Sequence, residues 1–406
     1  LVKQLWCAPG NAGTADEPLR GSGDTARNLK IAAEDLPALL DWAGKNRPDL
    51  TVVGPDNPLG MGIVDLFQKH GLPIWGPNQQ AAQFEASKGF SQEFMERHGI
   101  PTARSGIFTD ARAAKDFVAS LHGRCAVKAD GLALGKGVLV CQEVAEANRA
   151  VDSMLQARAF GAAGDKVVIQ EFLEGTEVSL HALCDGRTAL LFPTAQDHKR
   201  AFDQDQGPNT GGMGTYSPAP FLDAAQMAEI QARIIEPWRR GCLAEGIHYQ
   251  GIIYPGIMLT PAGPKVLEFN ARFGDPETQC YLPRLENDLA ELLLASVSGT
   301  LDRVQLRWSP TACVCVVMAS GGYPGGYAKG KTITGLPEVA KRVNVKVFHA
   351  GTAREDDKIV TNGGRVLGVT AWAADLASAR QLAYEAVELI TFDGAYYRRD
   401  IGSKAL

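Results

Sequence analysis

Short apolar runs alternate with amphipathic stretches along the first hundred residues. Leu5-Trp6-Cys7 reads as a strand ending at Pro9-Gly10-Asn11, and 50–54 as a second strand closed by Pro55. Pro73-Ile74-Trp75-Gly76-Pro77 repeats the strand-to-turn pattern. Between them lie helical patterns: 36–46, begun near Asp35 with Pro37 in its first turn, and 60–70, with Ile63, Leu66 and Phe67 on one face. Strand–helix–strand units on short links predict a doubly wound parallel sheet of α/β class. Its ligands would sit beyond the carboxyl ends of the strands, here 9–14, 54–57 and 76–78.

A long helix is expected over 81–97, stopped by His98-Gly99-Ile100-Pro101. Strands at 124–129 and 137–141 then flank a glycine loop, and a helix covers 144–155. The runs 167–173 and 177–183 stand either side of Glu174-Gly175-Thr176 and predict a hairpin. From 196 to 218 there is neither a helical nor a strand period, and so long a structureless stretch in a compact protein is usually functional. A helix over 224–245 precedes strands at 251–259 and 265–270. From about Pro310, short strands alternate with Gly/Pro turns up to a helix near 377–390.

Composition narrows the class. With 406 residues, 45% of them hydrophobic and 21% charged, the chain is an ordinary globular mix; collagenous, coiled-coil and wholly disordered readings drop out. A net charge of −5 gives no support to nucleic-acid binding, and no apolar run approaches the ~20 residues of a membrane span. Eight cysteines without a Cys-x-x-Cys, mostly in strand-like runs, predict buried reduced thiols and a cytosolic compartment.

Three constellations carry chemistry. In Asp130-Gly131-Leu132-Ala133-Leu134-Gly135-Lys136-Gly137, three glycines allow close backbone approach to a phosphate and Lys136 adds charge. A plain hairpin fits those residues as well; Lys128, inside an apolar run, needs an anionic partner and favours the nucleotide. In Lys265-Val266-Leu267-Glu268-Phe269-Asn270-Ala271-Arg272, Glu268 and Asn270 face the same way on a strand and offer hard oxygen ligands, and Arg272 could clamp a phosphoryl or carboxylate oxygen. The alternative is an exposed sheet face. Gln196-Asp197-His198-Lys199-Arg200, followed by Gly207-Pro208-Asn209-Thr210-Gly211-Gly212-Met213-Gly214, could bind an anion and close over it. His198 reads first as a hydrogen-bonding partner, not a base.

Together these runs resemble the ATP-grasp ligases, and within them the glycinamide ribonucleotide synthetases. The shared wording is Ala8 to Thr14, Val127 to Gly131, Gln196 to Arg200, Gly207 to Gly214 with Tyr216-Ser217-Pro218, and Glu268 to Gln279; 361–365 and 399–402 match as well. The resemblance implies a ligase that uses ATP and Mg²⁺ or Mn²⁺ to join glycine to 5-phosphoribosylamine through a glycyl phosphate. A cytoplasmic monomer is expected, with no nucleic-acid or membrane partner. It implies catalytic roles for Arg272, Lys128, Asp197 and Lys199, and metal ligation by Glu268 and Asn270. The nucleotide would lie on Lys88, Lys128, Gly131, Gly135, Lys136, Gly137, Glu171, Phe172, Leu173 and Glu177. Substrates would meet Gly10, Asn11, Gly13, Thr14, Asp56, Asp197, Arg200, Gly211, Gly212, Arg272, Gly274 and Asp275.

The resemblance also implies four units: a Rossmann-like substrate domain over 1–99, a small ATP-grasp lid over 100–172, a large catalytic part over 173–305 and a small α+β domain over 306–406. Asp56 and Asn57 stand where the family usually has Glu and Ala, which is expected to retune the amine pocket. The family opens on a strand, a glycine turn and a helix; this chain opens at Leu1 without them, so the first domain is expected to lack its first strand and helix. A non-catalytic ATP-binding fragment and another ATP-grasp carboxylate–amine ligase are the competing readings.

Overall fold

The computed structural model describes residues 2–15, 17–19, 22–132, 137–159 and 161–406. In the first segment the strands are parallel, Trp6–Cys7 with Arg27–Asn28 and Thr51–Val52 with Ile74–Trp75. They form two separate pairs, not one sheet; strands of two residues carry only two or three ladder bonds. The helix Leu36–Asn46 forms as its signals predict, with the Asp35 carboxylate accepting from Ala38 N at 3.1 Å and Pro37 in the first turn. Leu59, Ile63, Val64, Phe67 and Ile74 close the core beneath it.

Two predicted helices are broken. The 60–70 helix is two pieces, Asp56–Gly60 and Ile63–Lys69, because Gly62 takes φ +86° between them. The 81–97 helix is Gln83–Ala86 and Lys88–Arg97. Ser87 is extended there, and its Oγ accepts from Phe90 N at 3.1 Å. A serine inside a helical period competes as a cap, and here the cap wins. Helix Lys88–Arg97 therefore starts at Lys88, with its Gly89 N donating to the Asp130 carboxylate at 2.5 Å.

Two antiparallel sheets follow. The first orders Ser105–Phe108, Val167–Glu171, Cys125–Ala129 and Val138–Cys141, and helices Ala111–Ser120 and Val144–Val151 cover one face of it. The second is built on the long pair Gln250–Thr260 and Gly263–Asn270. The predicted hairpin across 174–176 does not form. Val167–Glu171 stays in the first sheet, whereas Thr176–Ser179 pairs with Gln250–Thr260 in the second. Both runs are largely buried, so alternation could not name their neighbours. The segment 172–175 is thus the crossing between sheets.

Residues 196–218 are not structureless. They hold the strand Gln196–Asp197, a hairpin of Arg200–Phe202 with Gln206–Asn209, and the strand Gly214–Ser217. Strands this short show no period. Gln196–Asp197 and Gly214–Ser217 complete a sheet whose other members are Ala312–Ala319, Arg365–Ala373 and Val345–His349, backed by helix Leu376–Val387. All eight cysteines are free; seven are buried and Cys7 is half-buried. Among the described residues no helix is long and apolar enough to cross a membrane.

Candidate active site

Between the two antiparallel sheets lies a cleft of about 700 Å³. Strand alternation puts Val127 and Ala129 in the core of the first sheet and turns Ala126 and Lys128 to the cleft. On the opposite wall, Gly256 pairs with Glu268 and Ile257 with Val266, so Leu267 is the extra residue of a bulge. The Leu267 carbonyl accepts from Lys128 Nζ at 3.0 Å. Beyond the bulge Glu268 and Asn270 line the cleft.

The charges are strongly coupled. Burial pushes the Lys128 ammonium below the ordinary lysine value, with nearby Glu268 working against that shift. Burial by itself would raise the Glu268 carboxyl, yet Lys128, Lys88, Lys199 and Arg272 hold it below the ordinary glutamate value. Lys88 Nζ donates to Gly131 O at 3.2 Å. Glu171 accepts from Arg104 N at 3.0 Å and Lys265 Nζ at 3.2 Å, which fixes the start of the crossing that carries Phe172 and Leu173 along the cleft. Glu177 is raised by burial despite Lys199.

Deeper in, Lys199 Nζ lies 2.8 Å from Asp197 Oδ2 and 3.4 Å from Tyr254 Oη, which donates to Glu277 Oε1 at 2.6 Å. Asp197 thus pairs directly with the ammonium while Glu277 meets it through the Tyr254 hydroxyl, and their affinities separate. Burial lifts Asp197 to about 7, whereas Lys199, His181 and the Tyr254 hydroxyl bring Glu277 down to about 2 against its own burial. His181, pressed by burial to about 3, accepts from Gly274 N through Nε2 at 3.0 Å. His198, likewise lowered to about 4 by burial, contacts Gly214 O at 3.0 Å through Nδ1. The reading of His198 as a hydrogen-bonding partner agrees with that placement.

Arg272 lines the cleft and pairs with Glu85 at 2.9 Å; Ala271 N also donates to Glu85. Arg365, from the carboxyl-terminal part, donates to Gly211 O at 2.7 Å and pairs with Asp275 at 2.9 Å. A Cβ on Gly212 (φ +113°) would stand 2.7 Å from the Asp197 carboxylate.

The cleft therefore gathers Asp56, Lys88, Lys128, Gly137 and the stretch 171–173, together with Glu177, Asp197, Lys199, Arg200, Gly211, Glu268, Asn270 and Arg272. Gly131, Gly212, Gly274 and Asp275 do not line it; they contact Lys88, Asp197, His181 and Arg365 in turn. Gly10, Asn11, Gly13 and Thr14 do not line it. Asn11 Nδ2 donates to His349 O at 2.8 Å, and Gly13 packs on the His349 ring, so this loop closes on the carboxyl-terminal part. Gly135 and Lys136 lie outside the described residues. Sequence reasoning passed over Glu85, Tyr254, Glu277 and Arg365 as individual residues. Glu277 and Arg365 fall within the quoted runs; Glu85 and Tyr254 carry no local signal.

Two antiparallel sheets facing across such a cleft define the ATP-grasp fold. The biotin carboxylase domain of 2-oxoglutarate carboxylase from Hydrogenobacter thermophilus shares it at a TM-score of 0.72 and 16% identity, over 97% of this chain and 86% of that one. The phosphoribosylglycinamide synthetase family models match in order: the N domain over 1–85, the ATP-grasp (A) domain over 86–278 and the C domain over 313–404. The chain belongs to the phosphoribosylglycinamide synthetase family. It is 48% identical to phosphoribosylamine–glycine ligase of Vibrio cholerae over all of this chain and 93% of that protein. It is also 48% identical to the Escherichia coli O6:H1 ligase, over all of this chain and 94% of that protein. The crystal structure of the Thermotoga maritima ligase superposes at a TM-score of 0.83 with 31% identity, over 98% and 94% of the two chains.

Proposed function

We propose that this chain is an ATP-dependent ligase joining glycine to 5-phosphoribosylamine. The observation that carries the reading is the convergence of Lys128, Glu268, Asn270 and Arg272 on one cleft, in a chain of this family. A glycine carboxylate oxygen attacks the γ-phosphorus of ATP, the bond to the β-phosphate oxygen breaks, and ADP leaves glycyl phosphate. The amine nitrogen of phosphoribosylamine then attacks the carbonyl carbon. The C–N bond forms, the C–O bond to phosphate breaks, and the amine loses a proton as glycinamide ribonucleotide is released.

Phosphoryl transfer of this kind needs placement and charge neutralisation more than a covalent protein group. Lys128 and Lys88 are the cations for the nucleotide phosphates. Phe172 and Leu173 offer the adenine an apolar crossing with backbone groups, and Glu177 stands by for the ribose. Arg272, held by Glu85, faces the acyl phosphate. Asp197 and Lys199, paired with each other at 2.8 Å, face the amino substrates.

Mg²⁺ or Mn²⁺ fits Glu268 and Asn270. The Asn270 Nδ2 donates to Tyr254 O at 3.3 Å, which leaves the Oδ1 lone pairs for a cation beside a carboxylate held charged. Among the described residues no cluster of three or more His, Cys, Asp or Glu side chains is assembled for a metal. Two protein oxygens then suit a cation that takes its other ligands from water and phosphates. When bound it neutralises phosphate charge. A cytoplasmic location accords with the free thiols.

One assay tests the reading: ADP release with ATP, Mg²⁺, glycine and freshly made phosphoribosylamine, and with each omitted in turn. Release that requires glycine supports it. ADP release indifferent to glycine, or none with all four present, overturns it.

A further inference from the structure

The turn 203–205 sits beside the cleft and is conformationally costly. Gln204 and Asp205 are consecutive non-glycine residues at φ +58° and +54°, in the left-handed region. Such a turn persists only when its surroundings over-determine it, and strain of this kind gathers at functional sites. Here the surroundings are the last ten residues of the sequence. Asp203 Oδ1 accepts from Arg399 N at 2.7 Å, and Asp400 Oδ2 accepts from Gln204 N at 2.8 Å. Asp205 accepts from Arg398 at 3.1 Å and also pairs with Lys404.

Arg398 is the centre of this arrangement. Its side chain is fully buried, an exceptional position for a guanidinium. It donates to both Asp400 oxygens at 2.7 Å, to Asp205 and to the Arg200 carbonyl at 3.1 Å. The last two acceptors belong to the hairpin whose first strand, Arg200–Phe202, directly follows Asp197-His198-Lys199. Gly402 N approaches His198 Nε2 at 3.4 Å from the same side. The segment 197–200 is thereby divided. The Asp197 and Lys199 side chains face the cleft, while His198 and the Arg200 carbonyl face the carboxyl-terminal segment. Of this network, Arg200, Asp205 and Lys404 line the cleft.

We propose that Arg398 is a positioning residue for the ligation: it locks the 203–205 turn and the Arg200 carbonyl, and so fixes where Lys199 and Arg200 meet the amino substrates. This rests on the ligase reading above. It assigns the carboxyl-terminal segment a part in substrate geometry: Arg398 does not line the cleft, while Lys404 of the same segment does.

The test compares the whole 406-residue chain with Arg398→Lys, Asp205→Asn and the charge-keeping Asp205→Glu. Expected for the first two is a KM for ATP within twofold of wild type and a KM for glycine or phosphoribosylamine raised tenfold or more. Asp205→Glu should recover part of that loss. Amide hydrogen exchange should quicken across 197–209 while the 125–141 strands stay protected. Asp205 is in an exposed turn, so its variants keep the test alive if Arg398→Lys does not fold. Wild-type KM values in folded variants, or an ATP KM that rises with the others, would overturn the proposal. If the wild-type chain shows no glycine-dependent ADP release, the ligase reading falls by itself. Unchanged exchange across 197–209 would then sink the positioning role separately, and faster exchange would uphold the lock.

Discussion

Glu85 and Arg272 are 187 positions apart in sequence and form an ion pair at 2.9 Å, with the Arg272 side chain one-quarter exposed and the Glu85 side chain one-tenth. The Glu85 carboxylate also accepts from Ala271 N at 2.8 Å, so one acidic group holds both the guanidinium and the backbone beside it. Burial raises the Glu85 carboxyl above its ordinary value, and Arg272 is the main force opposing that. Glu85→Ala leaves the guanidinium without its partner. The expected loss is about 3 kcal/mol, the lower end for a broken buried pair because Arg272 keeps some solvent. Urea denaturation reads the stability and single-turnover ADP formation reads the chemistry; wild-type values in both would refute the role given to this pair.

Glu268→Ala is expected to abolish Mg²⁺-dependent turnover while the fold persists, since the residue is placed as a metal ligand on a strand held by its whole ladder. A magnesium titration of ADP release, with circular dichroism on the same sample, checks both halves. Turnover at the wild-type rate would remove Glu268 from the metal assignment.

Gly212→Ala should be damaging although Gly212 does not itself line the cleft. Its new methyl group would stand 2.7 Å from Asp197 Oδ1 and 2.6 Å from Pro276 Cδ, on a backbone at φ +113°. Overpacking of this order costs about 1–3 kcal/mol. The displaced carboxylate would part from Lys199, so kcat should fall at least tenfold. A variant that melts like wild type and keeps its kcat would mean the loop has slack the structure does not show.

His198 predicts a pH dependence. Its folded value is lowered to about 4 from the ordinary 6.5, mainly by burial. Below pH 6.5 the unfolded chain therefore binds a proton that the native protein refuses, and stability falls as pH drops from 6.5 toward 4. The slope is about 1.4 kcal/mol per pH unit for one such histidine. His181, lowered to about 3, adds a second contribution of the same sign. In His198→Asn the slope between pH 6 and 5 should shrink by about 1 kcal/mol per pH unit, measured by denaturant melts at each pH. An unchanged slope would show that His198 titrates normally in the native protein.

Much of this was legible in the sequence. Asp35 and Pro37 announced a helix because capping is a local event. Glu268 and Asn270 announced a shared face because strands alternate. What stayed hidden was set by distant partners. Ser87 interrupts a helix because it caps the next one beneath Asp130. The strands either side of Gly175 look like a hairpin, but Val167–Glu171 pairs back to Ser105–Phe108 and Cys125–Ala129 while Thr176–Ser179 pairs forward to Gln250–Thr260, and the bulge that frees Leu267 for Lys128 is a feature of register. Glu85 and Tyr254 sit in unremarkable surroundings along the chain and enter the cleft only through folding.

The sheet that mixes Gln196–Asp197 and Gly214–Ser217 with Ala312–Ala319 has a temporal consequence. On a ribosome, Gly214–Ser217 emerges roughly a hundred residues before Ala312–Ala319, the strand on its other side. Until then the stretch carrying Asp197, Lys199 and Gly211 has only its own short pairings and lacks the long strand that flanks Gly214–Ser217. The nucleotide wall of the cleft can be finished early in synthesis, whereas its reactive end is assembled among the last events.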